Sequence, residues 1–142
     1  MRYIKPDSAL MKHRKYRVLL IEDNMLDSMA FERFVHDQKL LYDLTTVSSI
    51  SQAKEKLKTE QFDIIISDYS LGDGTALDIL NWIKDIPIIL ITAAEEEEVV
   101  ANVLRAGAHE FLPKDFDRQY LKAIPKTIEN AIKRKELKEV LN

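Results

Sequence analysis

Short apolar runs alternate along the chain with longer amphipathic stretches, and the two carry different periods. "RVLLIE" (Arg17 to Glu22), "DLTTVS" (Asp43 to Ser48), "FDIIISD" (Phe62 to Asp68), "PIILIT" (Pro87 to Thr92) and "EFLPK" (Glu110 to Lys114) have the length and residue types of strands. The middle ones are apolar on both faces, as strands covered on two sides must be. Between them "DSMAFERFVHD", "SISQAKEKLKTE", "GTALDILNWIKD" and "EEEEVVANVLRAG" carry apolar stripes at helical spacing. Ser49 or Ser51 is placed to cap the second of these and Gly107 to close the fourth. From Asp117 to Leu141 the pattern predicts one long helix in which Pro125 must either kink the helix or mark its first turn. Five βα units in a row predict an α/β domain with a doubly wound, five-stranded parallel sheet and helices on both faces.

Composition narrows the picture. At 142 residues, 46% hydrophobic and 32% charged, the chain is the size of one domain with one sizeable core. A formal net charge of -3 argues against binding nucleic acid directly as the main business. With no cysteine there is no disulfide, thiolate nucleophile or cysteine-held zinc. No run approaches the ~20 apolar residues of a membrane span, and the basic start lacks the apolar stretch of a signal peptide, so a soluble, cytoplasmic protein is expected.

In an open doubly wound sheet, ligands bind at the carboxyl ends of the strands. The first strand ends in Glu22 and Asp23, the third in Asp68, the fourth in Thr92 and the fifth in Lys114. Any one of these is an ordinary strand terminus, since Asp and Thr are common in turns and caps. All five on one edge are hard to explain by packing: two carboxylates ~4 Å apart repel by roughly 4 kcal/mol at an effective dielectric near 20. Lys114 offsets part of that repulsion. A divalent ion between Glu22, Asp23 and Asp68 would offset the rest, and hard carboxylate oxygens with room for water favour Mg²⁺ over zinc.

These residues sit in "LLIEDN", "IIISDYSLGDG", "PIILITA" and "EFLPKD", and with them the chain from about Tyr16 to its end resembles the receiver domain of two-component response regulators, the CheY-like family. The resemblance implies the flavodoxin-like (βα)₅ receiver fold. It implies that Asp68 accepts a phosphoryl group from a histidine kinase or a histidine phosphotransfer protein, with Thr92 and Lys114 contacting the phosphoryl oxygens. It implies that Glu22, Asp23, Asp68 and the main-chain carbonyl of Ser70 hold Mg²⁺. Thr92 and Phe111 would form the switch that changes partner or output contacts, and Ala93, small beside Thr92, leaves the site open. Such a domain is a phosphoacceptor that assists its own phosphorylation and dephosphorylation, with kinase activity only as part of a larger hybrid sensor protein. Two departures stand out: Gly72 occupies the place of a frequent proline in a short "SLGDG" loop, and Asp115 follows Lys114 where proline is frequent.

Other readings compete. "GDGTAL" touches the dinucleotide fingerprint but has Leu77 in place of the third glycine and lies in the third βα unit. An aspartyl-nucleophile phosphatase resembles D-x-D, and here Ser70 holds the second position. A receiver-like interaction module that is never phosphorylated is the stronger alternative. His13, His36 and His109 lack ligand spacing, Glu95 to Glu98 read as a solvated helix start, and Trp82 reads as half-buried core.

The domain organisation expected is an N-terminal extension over 1–15, a receiver over 16–132 and an extension of the last helix over 133–142. Leu121, Ile124, Ile128, Ala131 and Ile132 form one helical stripe, whereas Leu137, Val140 and Leu141 form another, with Leu137 about 180° around from Ile128. One straight helix cannot press both on the same core, so the second stripe is expected to stay exposed and to serve a homodimer or a following domain.

Overall fold

The computed structural model describes residues 14–92, 97–108 and 110–141. Five parallel strands form the sheet: β1 (Tyr16–Ile21), β2 (Tyr42–Val47), β3 (Ile64–Asp68), β6 (Ile88–Thr92) and β7 (Glu110–Pro113), in the order β2-β1-β3-β6-β7. The order reverses direction at β1, which makes the sheet doubly wound and puts its crevice over the ends of β1 and β3. Strands β3 and β6 are buried along their whole length, as their apolar runs of isoleucine and leucine require.

The helices are α1 (Met25–Asp37), α2 (Ile50–Thr59), α3 (Leu77–Leu80), α4 (Glu97–Arg105) and α5 (Tyr120–Leu141). One apolar cluster joins Val18, Leu20, Ile64 and Ile66 to Phe31 of α1 and to Ile124 and Ile128 of α5. The other joins Leu19, Ile21, Ile65 and Leu90 to α2, α3 and α4. The alternation of these residues along β1 and β3 is the strand period of two, with one core on each side.

Local chemistry accounts for the helix ends. Asn24 caps α1 by accepting from Asp27 N–H, and Ser49, rather than Ser51, caps α2 by accepting from Gln52 N–H. Gly107, at φ 104°, closes α4: Ala108 N–H bonds the Val103 carbonyl, a conformation that suits glycine. Asp115 accepts from the N–H groups of Gln119 and Tyr120 and so starts α5, three residues later than its sequence pattern predicts. Pro125 lies inside α5, not at its first turn, and removes only the bond that would reach Leu121.

The third amphipathic segment differs from expectation. Instead of one helix over "GTALDILNWIKD", Gly74–Thr75 (β5) pairs antiparallel with Ser70–Leu71 (β4), and α3 keeps only four residues. The reason is competition for the backbone. Asp73 at the tip accepts from Ile50 N–H and Ser51 N–H, tying the hairpin to the start of α2, while Asp78 accepts from Thr75 N–H and packs against Gly74. Past Leu80 a few single-turn bonds continue, from Asn81 to Leu77 and from Trp82 and Ile83 to Ile79. Trp82 is 42% exposed under the Lys54 ammonium, further out than half-buried core. Among the described residues no helix is long and apolar enough to cross a membrane.

Candidate functional site

Strand β1 stops at Ile21, but Glu22 N–H still bonds the Val47 carbonyl, which holds the Glu22 side chain down in the crevice at 7% exposure. Asp23 follows on the exposed side, and Asp68 ends β3 at 9% exposure. One carboxylate oxygen from each of Glu22, Asp23 and Asp68 lies within 4.8 Å of the others. An all-oxygen set with one exposed member fits a hard cation that keeps some of its water.

Lys114 leaves the end of β7, its N–H bonded to the Thr92 carbonyl at 2.8 Å, and its amine turns into the crevice. Nζ lies 2.7 Å from Glu22 Oε1 and 3.1 and 3.3 Å from the two Asp68 oxygens. The amine also lies 2.7 Å from Asp27 Oδ2, in the first turn of α1. The other Asp27 oxygen accepts from Arg118 Nε at 3.1 Å. Burial pushes the Asp68 carboxyl up to about 8, helped by the adjacent Glu22 and opposed by Lys114. For Lys114, burial disfavours the charge, but Asp27, Glu22 and Asp68 outweigh it and hold the amine above its usual range. Asp27 loses some hydration too, yet Lys114 and Arg118 keep it below the usual carboxylate range.

The fold thus brings Glu22, Asp23, Asp68 and Lys114 together. Thr92, 7% exposed, ends β6 beside them, and Ser70 lies two residues past Asp68 in the β4–β5 hairpin. Phe111 is not at the charges: it pairs with Leu90 in the sheet and packs half-buried on the α2–α3–α4 side. Among the described residues the peptide bonds are trans, including the one after Lys114, and Asp115 there caps a helix. His36 is solvated beside Asp37. Ala93, Glu95, Glu96, His13 and His109 lie outside the described residues, as does the Glu97 side chain.

Sequence reasoning missed Asp27 and Arg118. The signal for Asp27 was the N-x-x-D spacing from Asn24, which puts a carboxylate in the first turn of the helix leaving this edge. Arg118 had none, because its left-handed backbone, φ 55°, is set by the turn before α5.

A family model of the response regulator receiver domain matches residues 18–126. The chain belongs to the response regulator receiver family. Among relatives, this receiver is 34% identical over 95 residues to the transcriptional regulatory protein KdpE of Staphylococcus aureus, covering 65% of this chain and 41% of that protein. It is 30% identical over 104 residues to the two-component response regulator ORR3 of Oryza sativa, covering 68% of this chain and 78% of that one. The receiver spans about half the length of the first curated relatives it matches, 41%, 52% and 46%. Its fold is similar to the signal receiver domain of a Luxo repressor protein from Vibrio parahaemolyticus, with TM-score 0.76, 25% identity and coverage of 91% and 98%. A CheY-like receiver domain from Methanospirillum hungatei superposes with TM-score 0.76 at 16% identity, covering 88% of this chain and 99% of that one.

Proposed function

We propose that this receiver is a phosphoacceptor: Asp68 takes a phosphoryl group from a histidine kinase or histidine phosphotransfer protein, and the modified domain changes its partner or output contacts. The observation that carries the reading is Lys114 Nζ lying between Glu22 and Asp68, 2.7 Å from one and 3.1 Å from the other, at the open end of the sheet. A carboxylate attacking a phosphoryl group meets an anion, so the reaction needs fixed positive charge and an in-line approach.

In the transfer, an Asp68 oxygen bonds to phosphorus as the nitrogen–phosphorus bond of phosphohistidine breaks. The imidazole leaves with the electron pair and gains a solvent proton, and the product is an aspartyl phosphate. Lys114 pairs with one phosphoryl oxygen, and the Thr92 hydroxyl donates to another. Glu22, Asp23 and Asp68, with the main-chain carbonyl of Ser70, are the residues that would hold Mg²⁺, which when bound neutralises charge on the phosphoryl oxygens. Drawing Thr92 inward frees space toward β7 for Phe111, which couples the site to α4 and α5.

A protein donor must bring its phosphohistidine to Asp68 and so must cover the rim of the crevice. Met25, Leu26 and Met29 on α1 and Phe116 after Lys114 are exposed at 73%, 67%, 49% and 99%, apolar surface suited to that contact. The output end is α5. Its stripe of Leu137, Val140 and Leu141, exposed at 45%, 49% and 75%, supports residues 133–142 as a helical extension of a receiver over 16–132, pairing with a second copy or leading to a following domain. The reading includes a cytoplasmic setting and no direct nucleic-acid contact.

The test is intact-mass measurement after incubation with Mg²⁺ and acetyl phosphate. The wild-type chain gains one phosphoryl group that survives acid and is lost in base, and Asp68→Asn gains none. Equal labelling of the two proteins, or no labelling of the wild type, overturns the reading and leaves the unphosphorylated interaction module.

A further inference from the structure

The roles proposed above leave out Asp27, yet its contact with Lys114 is as short as any the amine makes. An ammonium has three protons to donate. Here Nζ donates to Glu22 at 2.7 Å and lies equally close, 2.7 Å, to Asp27 Oδ2 as an ion pair, while its bonds to Asp68 are longer, 3.1 and 3.3 Å. Asp27 therefore competes with the acceptor for the cation the acceptor needs. Its side chain is only 17% exposed, so solvent screens the competition incompletely.

Arg118 adds a second layer. Its Nε holds the other Asp27 oxygen at 3.1 Å, from a residue whose left-handed backbone, φ 55°, is unfavourable for a bulky side chain. That backbone is secured by Arg118 N–H on the Asp115 carbonyl and by Leu121 N–H on the Arg118 carbonyl. The turn thus aims the guanidinium at Asp27 and divides that carboxylate between two cations.

We infer that Asp27 is a positioning residue that acts as a brake on phosphorylation, competing with the incoming phosphoryl group for Lys114, and that Arg118 moderates the brake by sharing the Asp27 carboxylate. The inference rests on the phosphoacceptor reading. It separates from a merely structural role by sign. If Asp27 and Arg118 only tie α1 to the start of α5, losing either loosens the site and slows labelling. If Asp27 competes, neutralising it speeds labelling, and removing Arg118 slows it by leaving Asp27 wholly to Lys114.

The experiment follows the labelling rate of the whole chain against acetyl phosphate concentration at saturating Mg²⁺, read by intact mass, with a thermal melt of each variant. Asp27→Asn is expected to raise the maximal rate about fivefold. Arg118→Ala lowers it, the double variant behaves as Asp27→Asn, and Asp27→Glu, which keeps the charge, returns close to wild type. Asp27→Ser replaces Asp27→Asn should the latter melt early. An Asp27→Asn or Asp27→Ser protein that labels no faster than a wild type labelled at Asp68 overturns the brake alone. A wild type labelled no more than Asp68→Asn overturns the phosphoacceptor reading and the brake with it.

Discussion

The two faces of the sheet are covered in different ways. On one, α1 and α5, of 13 and 22 residues, lay long apolar stripes over Val18, Leu20, Ile64 and Ile66. On the other, α2, α3 and α4 have 10, 4 and 9 residues, and a hairpin tied by Asp73 fills in for missing helix. The charged crevice straddles both. Lys114 is bound to the long-helix side through Asp27, whereas Phe111 packs on the short-helix side. A two-state device needs one part that stays and one that repacks, and short elements with fewer buried side chains open at lower free energy. The long-helix face is the firmer frame, and the switch proposed above would repack chiefly the side of α4, with β7 and the end of α5 following.

The largest effect should come from cutting into the frame. Ile128 is 0% exposed, and Ile128→Ala should cost about 3 kcal/mol in urea unfolding, while Val103→Ala, equally buried under α4 but with less volume to lose, should cost about 1–2 kcal/mol. A cost at Val103 equal to that at Ile128 would erase the distinction between the faces.

The crevice between the faces comes next. In metal-free protein the Asp68 carboxyl titrates at about 8 when folded, against an ordinary value of 3.8 in the unfolded chain. Between those values the folded state binds more protons, so stability falls as pH rises from about 4 to about 8 and is level above. Asp68→Asn removes this fall and should be more stable than wild type by on the order of 2 kcal/mol at pH 8.5 in chelator. Melts across pH check it, and parallel wild-type and variant curves would show that Asp68 does not carry the strain.

The smallest effect sharpens the contrast within α5 itself. Leu137 is 45% exposed, so Leu137→Lys should change stability by no more than about 0.5 kcal/mol. Light scattering on the same variant reads self-association: a mass that falls from dimer to monomer supports pairing through the outer stripe, and unchanged mass leaves the link to a following domain.

The elements whose information is local were legible in the sequence. Isoleucine runs too apolar for a one-sided strand placed β3 and β6 within two residues of their ends, and the acids, hydroxyl and amine at the strand ends named Glu22, Asp23, Asp68, Thr92 and Lys114 because a parallel sheet brings its carboxyl ends to one edge. The double stripe of α5 was likewise readable, since a helix turns 100° per residue whatever surrounds it, and the structure buries Ile124 and Ile128 while leaving Leu137 and Leu141 outside. What needed the tertiary structure were contacts between residues far apart in the chain. Asp73 reaches the start of α2 across 22 and 23 positions, and this converts an amphipathic helix pattern into a hairpin and a four-residue helix. Asp27 meets Lys114, and Arg118 meets Asp27 across 91 positions, only because α1 and the turn into α5 leave the same edge. Helical propensity and hydrophobic period act over a few residues and are written in the order of the letters. A hydrogen bond between distant side chains depends on where the sheet has already put them, so it is decided by the packed molecule.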